Sequence, residues 1–167
     1  MGAPSRQTGA GHADTLEKNS PYMHAMGEVD RLNCLLGLLN RKLPAPDLRD
    51  LVDGIQRDLL DLSAELSHPG RIVLTDRAVA RLEEHTRRLA ASLPPLDRAT
   101  PPGGTEAAAL CHYSWATCRS VERTLVGLEE IDPAPGAARV PYLDSLSNLL
   151  FALARSLNAP ADSLIGR

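Results

Sequence analysis

One stretch of roughly seven helical turns, TEAAALCHYSWATCRSVERTLVGLEEI from Thr105 to Ile131, decides most of what this chain can become. At about 100° per residue, Leu110, Ser114, Cys118, Val121, Leu125 and Leu128 fall on one small, apolar face. A neighbouring face carries His112, Trp115, Arg119, Glu122 and Arg123 at spacings of three and four, so a helix sets them on adjacent turns. The plain reading of that second face is a solvated charged surface with one amphipathic tryptophan. The functional reading is one wall of a site, because two arginines, a glutamate and the only tryptophan beside a buried stripe exceed what solubility requires.

A core for such a helix has to be aliphatic. The 167 residues are 43% apolar but only 3% aromatic, enough for one domain with a real core. Leu, Ala and Val in that proportion favour packed helices over a β-sandwich. A net charge of −3 without a basic block argues against nucleic acid as a partner. The apolar runs are short and interrupted by charge, so none is expected to span a bilayer. The N-terminus, MGAPSRQTGAGHADTLEKNS, lacks the apolar run of a signal peptide. The expectation is a cytoplasmic protein that engages a small molecule, with no membrane partner. Cys34, Cys111 and Cys118 lack CxxC spacing, so no metal site is expected. Cys111 and Cys118 stand about 10 Å apart along a helix, too far for a disulfide. All three read as small core residues.

In chain order, residues 1–17 read as an irregular arm and 18–167 as a single helical domain. A first helix is expected from Ser20-Pro21 to about Leu43, with the serine as cap and the proline in the first turn. Met26, Val29, Leu32, Leu36 and Leu39 form its stripe, and Asp30 and Asn33 sit on its flank. PAPD at 44–47 breaks the chain before a second helix, Asp47–Ser67, which Pro69-Gly70 ends. Thr75 is expected to cap a third, more exposed helix. A Pro/Gly-rich loop at 94–104 leads to the central helix. A second loop leads to the last helix, Tyr142–Leu157, where the plain alternative to a site role for Asp144 is a helix cap. Five helical segments without a convincing strand make an all-α bundle.

Four blocks together carry a resemblance. GEVDRLNCLLGLL is similar to GTVDELNSAIGLA, and IQRDLLDLSAELSHPG to IQNDLFDLGAELATP. PPGGTEAAALCHYSWATCRSVERTLVGL resembles LPGGSxxAAxLHxARTVCRRAERRVVxL, and YLDSLSNLLFALAR resembles YLNRLSDLLFVLAR. These are the motifs of the ATP:cob(I)alamin adenosyltransferases of the propanediol-utilisation type, in the right order and over nearly the whole chain. The resemblance implies a five-helix bundle, a homotrimer and active sites between subunits. It also implies ATP with magnesium, and a reduced cobalamin whose cobalt attacks the ribose 5′ carbon and expels triphosphate. Such a site needs a cradle for a polyanion and a dry wall around the metal. Residue by residue, Lys18 matches the phosphate lysine of KDDP. Arg119, Glu122 and Arg123 match the first arginine, the glutamate and the last arginine of RRAER. His112 matches the histidine of LHxAR, and Asp30 and Asn33 match the aspartate and asparagine of VDELN.

The departures cluster at the same pocket. TGDxGxTSL is TGAGHADTL here, with Ala10 for the aspartate, His12 for a glycine and Asp14 for a threonine. Trp115 stands for the arginine of LHxAR, which removes the residue that Asp30 would meet across the subunit interface. Ser120 replaces the second arginine of RRAER, Ala99 the phenylalanine of FxLPGG, and Asp144 and Ser145 the asparagine and arginine of YLNRLSD. Each charge-assisted contact is worth about 1.5–3 kcal/mol, so these losses point to a weakened ATP and corrinoid site. From sequence, the first reading is a repurposed intersubunit pocket. In it Trp115 and Ala99 reshape the cleft, and Lys18, Asn33, Arg119 and Arg123 hold an anionic metabolite. Glu122, His112, Asp30 or Asp144 then act as acid or base. The alternative is an active ATP:cob(I)alamin adenosyltransferase with atypical site residues. A third reading is a non-catalytic regulatory or hetero-oligomeric partner.

Overall fold

The computed structural model of the chain describes residues 17–68, 70–95, 101–134 and 137–159. The TGAGHADTL loop, with Ala10, His12 and Asp14, lies outside the described residues, as does Ala99. Five helices build the rest: α1 (Pro21–Asn40), α2 (Pro46–Ser67), α3 (Asp76–Ala91), α4 (Glu106–Ile131) and α5 (Arg139–Asn158). The all-α bundle expected from the periodicity is the observed fold. Among the described residues no helix is long and apolar enough to cross a membrane.

Local chemistry sets the helix ends. The Ser20 hydroxyl accepts from the Met23 amide, with Pro21 in the first turn, and Thr105 does the same for Ala108 at the start of α4. Each such cap satisfies an amide that the first turn leaves without a partner. Thr75 occupies the cap position of α3 but its side chain makes no capping bond; only its carbonyl takes part, accepting from the Ala78 amide. α1 stops at Asn40, short of Leu43, which still reaches the core through a turn. α5 begins three residues before Tyr142, so Asp144 lies within the helix and does not cap it.

The helices pack in the spatial order α2–α1–α4–α5–α3. Leu32, Leu36, Leu59, Leu62, Leu125 and Leu146 are fully buried where they meet; each leucine so removed from water stabilises the fold by about 1.5–3 kcal/mol. α3 buries only Ala78 and Leu82, as its sparse apolar positions predict. Cys111 and Cys118 are core residues, whereas Cys34 is exposed on α1. Cys34 matches the small residue after the asparagine of VDELN, and its place on the outer face of α1 corrects the core assignment.

Two polar ties fix the bundle. Asp58 of α2 accepts from the buried Tyr142 hydroxyl at 2.8 Å and pairs with Arg81 of α3. Glu65, 1% exposed, accepts the amides of Val73 and Leu74 at 2.6 and 2.5 Å. Its second oxygen lies 3.4 Å from Nε of Arg139, itself buried at the start of α5. This pair ties the α2–α3 connection to α5 in one place. At the other end Asn158 donates to the Gly103 carbonyl and accepts the Thr105 amide. Gly104, at φ +97°, has no room for a Cβ because the Asn158 side chain is already there.

Glu65→Ala leaves the buried Arg139 charge without its main partner and two amides without an acceptor. It should cost about 3–5 kcal/mol of stability, the range found when one member of a buried pair is removed. Urea unfolding followed by circular dichroism measures this; a loss below about 1 kcal/mol would mean that the pair contributes no more than a surface one.

Candidate functional site

α4 carries small residues where it meets α5. Ala107, Ala108, Cys111, Ser114 and Cys118 are buried along that seam, and the Cys118 thiol reaches the Leu143 carbonyl of α5 at 3.3 Å. Short side chains let the two backbones approach closely, so a large group on one helix reaches across to the other. Phe151 of α5 does this. Its ring lies 6.2 Å from His112, edge-on, and 5.7 Å from Trp115, tilted by 46°. The guanidinium of Arg119, one turn on, sits over the Trp115 ring at 5.8 Å from its centre.

Beyond this wall the surface is charged. Glu122 of α4 and Asp144 of α5 both act electrostatically on the buried Cys118 thiol. Burial raises the pKa of that thiol first, and the two carboxylates add to the rise, with Arg119 opposing them. Arg119, Glu122 and Asp144 therefore share one neighbourhood on the α4–α5 seam. Asp144 accepts from Asn148 at 3.4 Å. Neither Arg119 nor Arg123 forms an ion pair or hydrogen bond among the described residues, and the same holds for Lys18 before α1. Both arginines and the lysine are exposed. His112 is buried with Nδ1 lacking a partner, and burial lowers its pKa, so its imidazole is neutral at pH 7.

The predicted site residues fall into two groups in one chain. His112, Trp115, Arg119, Glu122, Arg123 and Asp144 gather on α4 and α5. Asp30 and Asn33 lie on α1 toward α2: Asp30 accepts from Ser63 at 3.3 Å, and Asn33 exchanges hydrogen bonds with Gln56. No hydrogen bond or ion pair joins the two groups among the described residues. A cleft of about 460 Å³ opens beside α1 and α2, lined by Asn40, Arg49, Asp53 and Gln56, and none of the candidates lines it. Sequence reasoning missed Phe151 as a wall residue. The available signal was that the only phenylalanine stands seven residues after Asp144, two turns on along the same helix face. Among the described residues no three His, Cys, Asp or Glu side chains cluster to hold a metal.

The arrangement offers an apolar, partly aromatic wall beside unpaired cations, which suits a flat organic group carrying an anion. A family profile described as cobalamin adenosyltransferase matches residues 3–157. The chain belongs to the cobalamin adenosyltransferase family. It is 42% identical over 152 residues to a cobalamin adenosyltransferase of Cupriavidus metallidurans, covering 90% of this chain and 82% of that one. It is 30% identical to a corrinoid adenosyltransferase of Mycobacterium leprae, over 94% of this chain and 88% of the relative. The corrinoid adenosyltransferase PduO of Citrobacter freundii is 33% identical over 84% of this chain, which spans 44% of that longer protein. Among solved structures, a variant PduO-type adenosyltransferase of Lactobacillus reuteri complexed with ATP superposes with a TM-score of 0.82 at 26% identity, over 92% of this chain and 88% of that one. Another variant of that enzyme, complexed with cobalamin and ATP, gives 0.80 at 27% identity over 87% and 84%.

The depressed His112 pKa has a consequence for stability. Above about pH 6.5 the ring is neutral folded and unfolded, and its contribution is complete. As the pH falls below the ordinary imidazole value, the unfolded chain binds a proton that the buried ring resists, and stability is lost until the folded pKa is passed. His85 is shifted in the same direction. His112→Phe keeps a ring against Phe151 without a titrating group, so its melting temperature should fall less steeply than that of the unmodified protein between pH 7.5 and 5. Parallel slopes would place the titration elsewhere.

Proposed function

We propose that the protein is an ATP:corrinoid adenosyltransferase, working as a homotrimer in the cytoplasm on small-molecule substrates. The observation that carries this reading is the 42% identity with the Cupriavidus metallidurans cobalamin adenosyltransferase across 90% of the chain. It displaces the repurposed pocket that the sequence departures first suggested. The L. reuteri structures complexed with ATP, and with cobalamin and ATP, support the same pair of substrates here.

In this reaction the reduced corrinoid displaces triphosphate from the 5′ carbon of ATP. The chain's own residues meet its demands as follows. Arg119 and Arg123, with no carboxylate partner, bind the triphosphate and steady the charge that accumulates as it leaves. Lys18 adds a third cation from the segment before α1. Glu122 and Asp144 orient the ribose or a water beside it. The Phe151–Trp115 wall, with neutral His112 behind it, excludes water from the reacting centre. Magnesium would ride on the triphosphate, its usual arrangement with few protein ligands. The separation of Asp30 and Asn33 from the α4 group within one chain supports a site completed by a neighbouring subunit. The exposed Leu38, Leu60, Tyr113 and Val126 supply apolar surface for that assembly. Trp115, where the family motif has arginine, keeps the rebuilt pocket as the second reading.

An anaerobic assay with cob(I)alamin and Mg-ATP should yield adenosylcobalamin. Arg119→Ala should lower kcat/KM for ATP by about tenfold or more, the equivalent of one lost charge-assisted contact. No adenosylation by the unmodified protein would return the second reading to first place. Light scattering should report a mass near three chains, and a monomer at micromolar concentration would remove the shared site.

A further inference from the structure

Arg119 is an exposed arginine with no acidic partner among the described residues, although Glu122 stands one turn away on the same helix. A side chain in that position ordinarily samples many rotamers, and ordering it on a ligand costs up to about 2 kcal/mol of rotamer entropy. Here it has a support. Helical side chains lean toward the N-terminus, so the residue at i+4 comes to lie over the residue at i, and Arg119 lies over the ring of Trp115. The ring itself is fixed, because Trp115 is half-buried, packs on the core and is braced by Phe151 from α5. The four groups His112, Phe151, Trp115 and Arg119 thus form a continuous series from the buried seam to the surface cation.

The kind of support matters for what the cation can do. A carboxylate holding Arg119 would consume N–H donors and cancel its charge. An aromatic ring attracts the cation through its quadrupole and accepts none of those hydrogen bonds, and none of the Arg119 donors is used among the described residues. All five remain for phosphate oxygens, which suit the guanidinium fork. We infer that Trp115 is a positioning residue for the polyphosphate of ATP: braced by Phe151, its indole holds Arg119 in place with charge and donors intact. The inference rests on the adenosyltransferase reading and adds a role for the residue that departs from the family motif.

The test is a double-mutant cycle on the full-length protein with Trp115→Leu, Arg119→Gln and the pair, and Trp115→Phe as the conservative variant. Circular dichroism and light scattering first establish that each keeps the fold and mass of the unmodified protein. Trp115→Leu should raise KM for Mg-ATP by about two- to fivefold, the size of an exposed cation–π contact, with KM for cob(I)alamin unchanged. Trp115→Phe should restore most of it. In the Arg119→Gln background, Trp115→Leu should add almost nothing. A readout apart from turnover comes from Trp115 being the only tryptophan. Arg119→Gln should change its emission in the free protein, and Mg-ATP should shift emission in the unmodified protein but not in that variant. Additive effects on KM, or an effect of Trp115→Leu on cob(I)alamin alone, would overturn the inference and make the indole a direct substrate contact or plain packing. Absence of any adenosylation by the unmodified protein is a separate outcome. It removes the enzyme reading, and the positioning role falls with it if Mg-ATP also leaves the emission unchanged.

Discussion

The close approach of α4 and α5 is the constraint on which the rest of the molecule depends. It exists because α4 presents Ala107, Ala108, Cys111, Ser114 and Cys118 along its buried seam, where a leucine at any one position would push the helices apart or force strained rotamers. The seam carries both packing and chemistry. Leu143, Leu146, Leu149 and Leu150 of α5 fill the core on one side. On the other, the same proximity lets Phe151 reach His112 and Trp115. It also brings Glu122 and Asp144 close enough for both carboxylates to raise the pKa of one buried thiol. Widening the seam would cost the site its wall before it cost the bundle its fold.

Charge is used in two opposite ways. Glu65 and Arg139 are both almost completely buried and face one another, and Glu65 also takes two amides. That pair holds a connection in place within the fold. Arg119, Arg123 and Lys18 are exposed and unpaired. Desolvated charges must be compensated within the fold, whereas a substrate-binding cation works best when its partner is the substrate. The family to which the chain belongs acts on a polyanionic nucleotide, and Arg119 and Arg123 lie on the helix that carries the matching motif. Trp115 fits this division, since an aromatic neighbour can order an arginine without neutralising it.

Much of the fold was legible in the sequence, and for simple reasons. The period of Leu32, Leu36 and Leu39 in α1, and of Ile55, Leu59, Leu62 and Leu66 in α2, reports which face must leave water. Proline and capping residues mark where α1, α2 and α4 start. The misjudged details were those that local chemistry leaves open. Thr75 has the residue type of a cap but does not bond as one. Asp144 has the residue type of a cap, but α5 opens earlier, at Arg139, without any side-chain cap. Cys34 has the composition of a core residue and the helical position of a surface one.

The sequence by itself determined the all-α class, the order of the helices and the stripe on α4 that holds the candidate arginines, because helical period is a local property of the chain. It also carried the motifs that place the chain in its family. Only the tertiary structure decided that Phe151 braces Trp115, that Arg119 rests on an aromatic ring, and that Asp30 and Asn33 hydrogen-bond to α2. Those facts depend on how closely and at what angle two helices pass. That distance is set by the summed volumes of side chains from distant parts of the chain, which no single stretch of sequence contains.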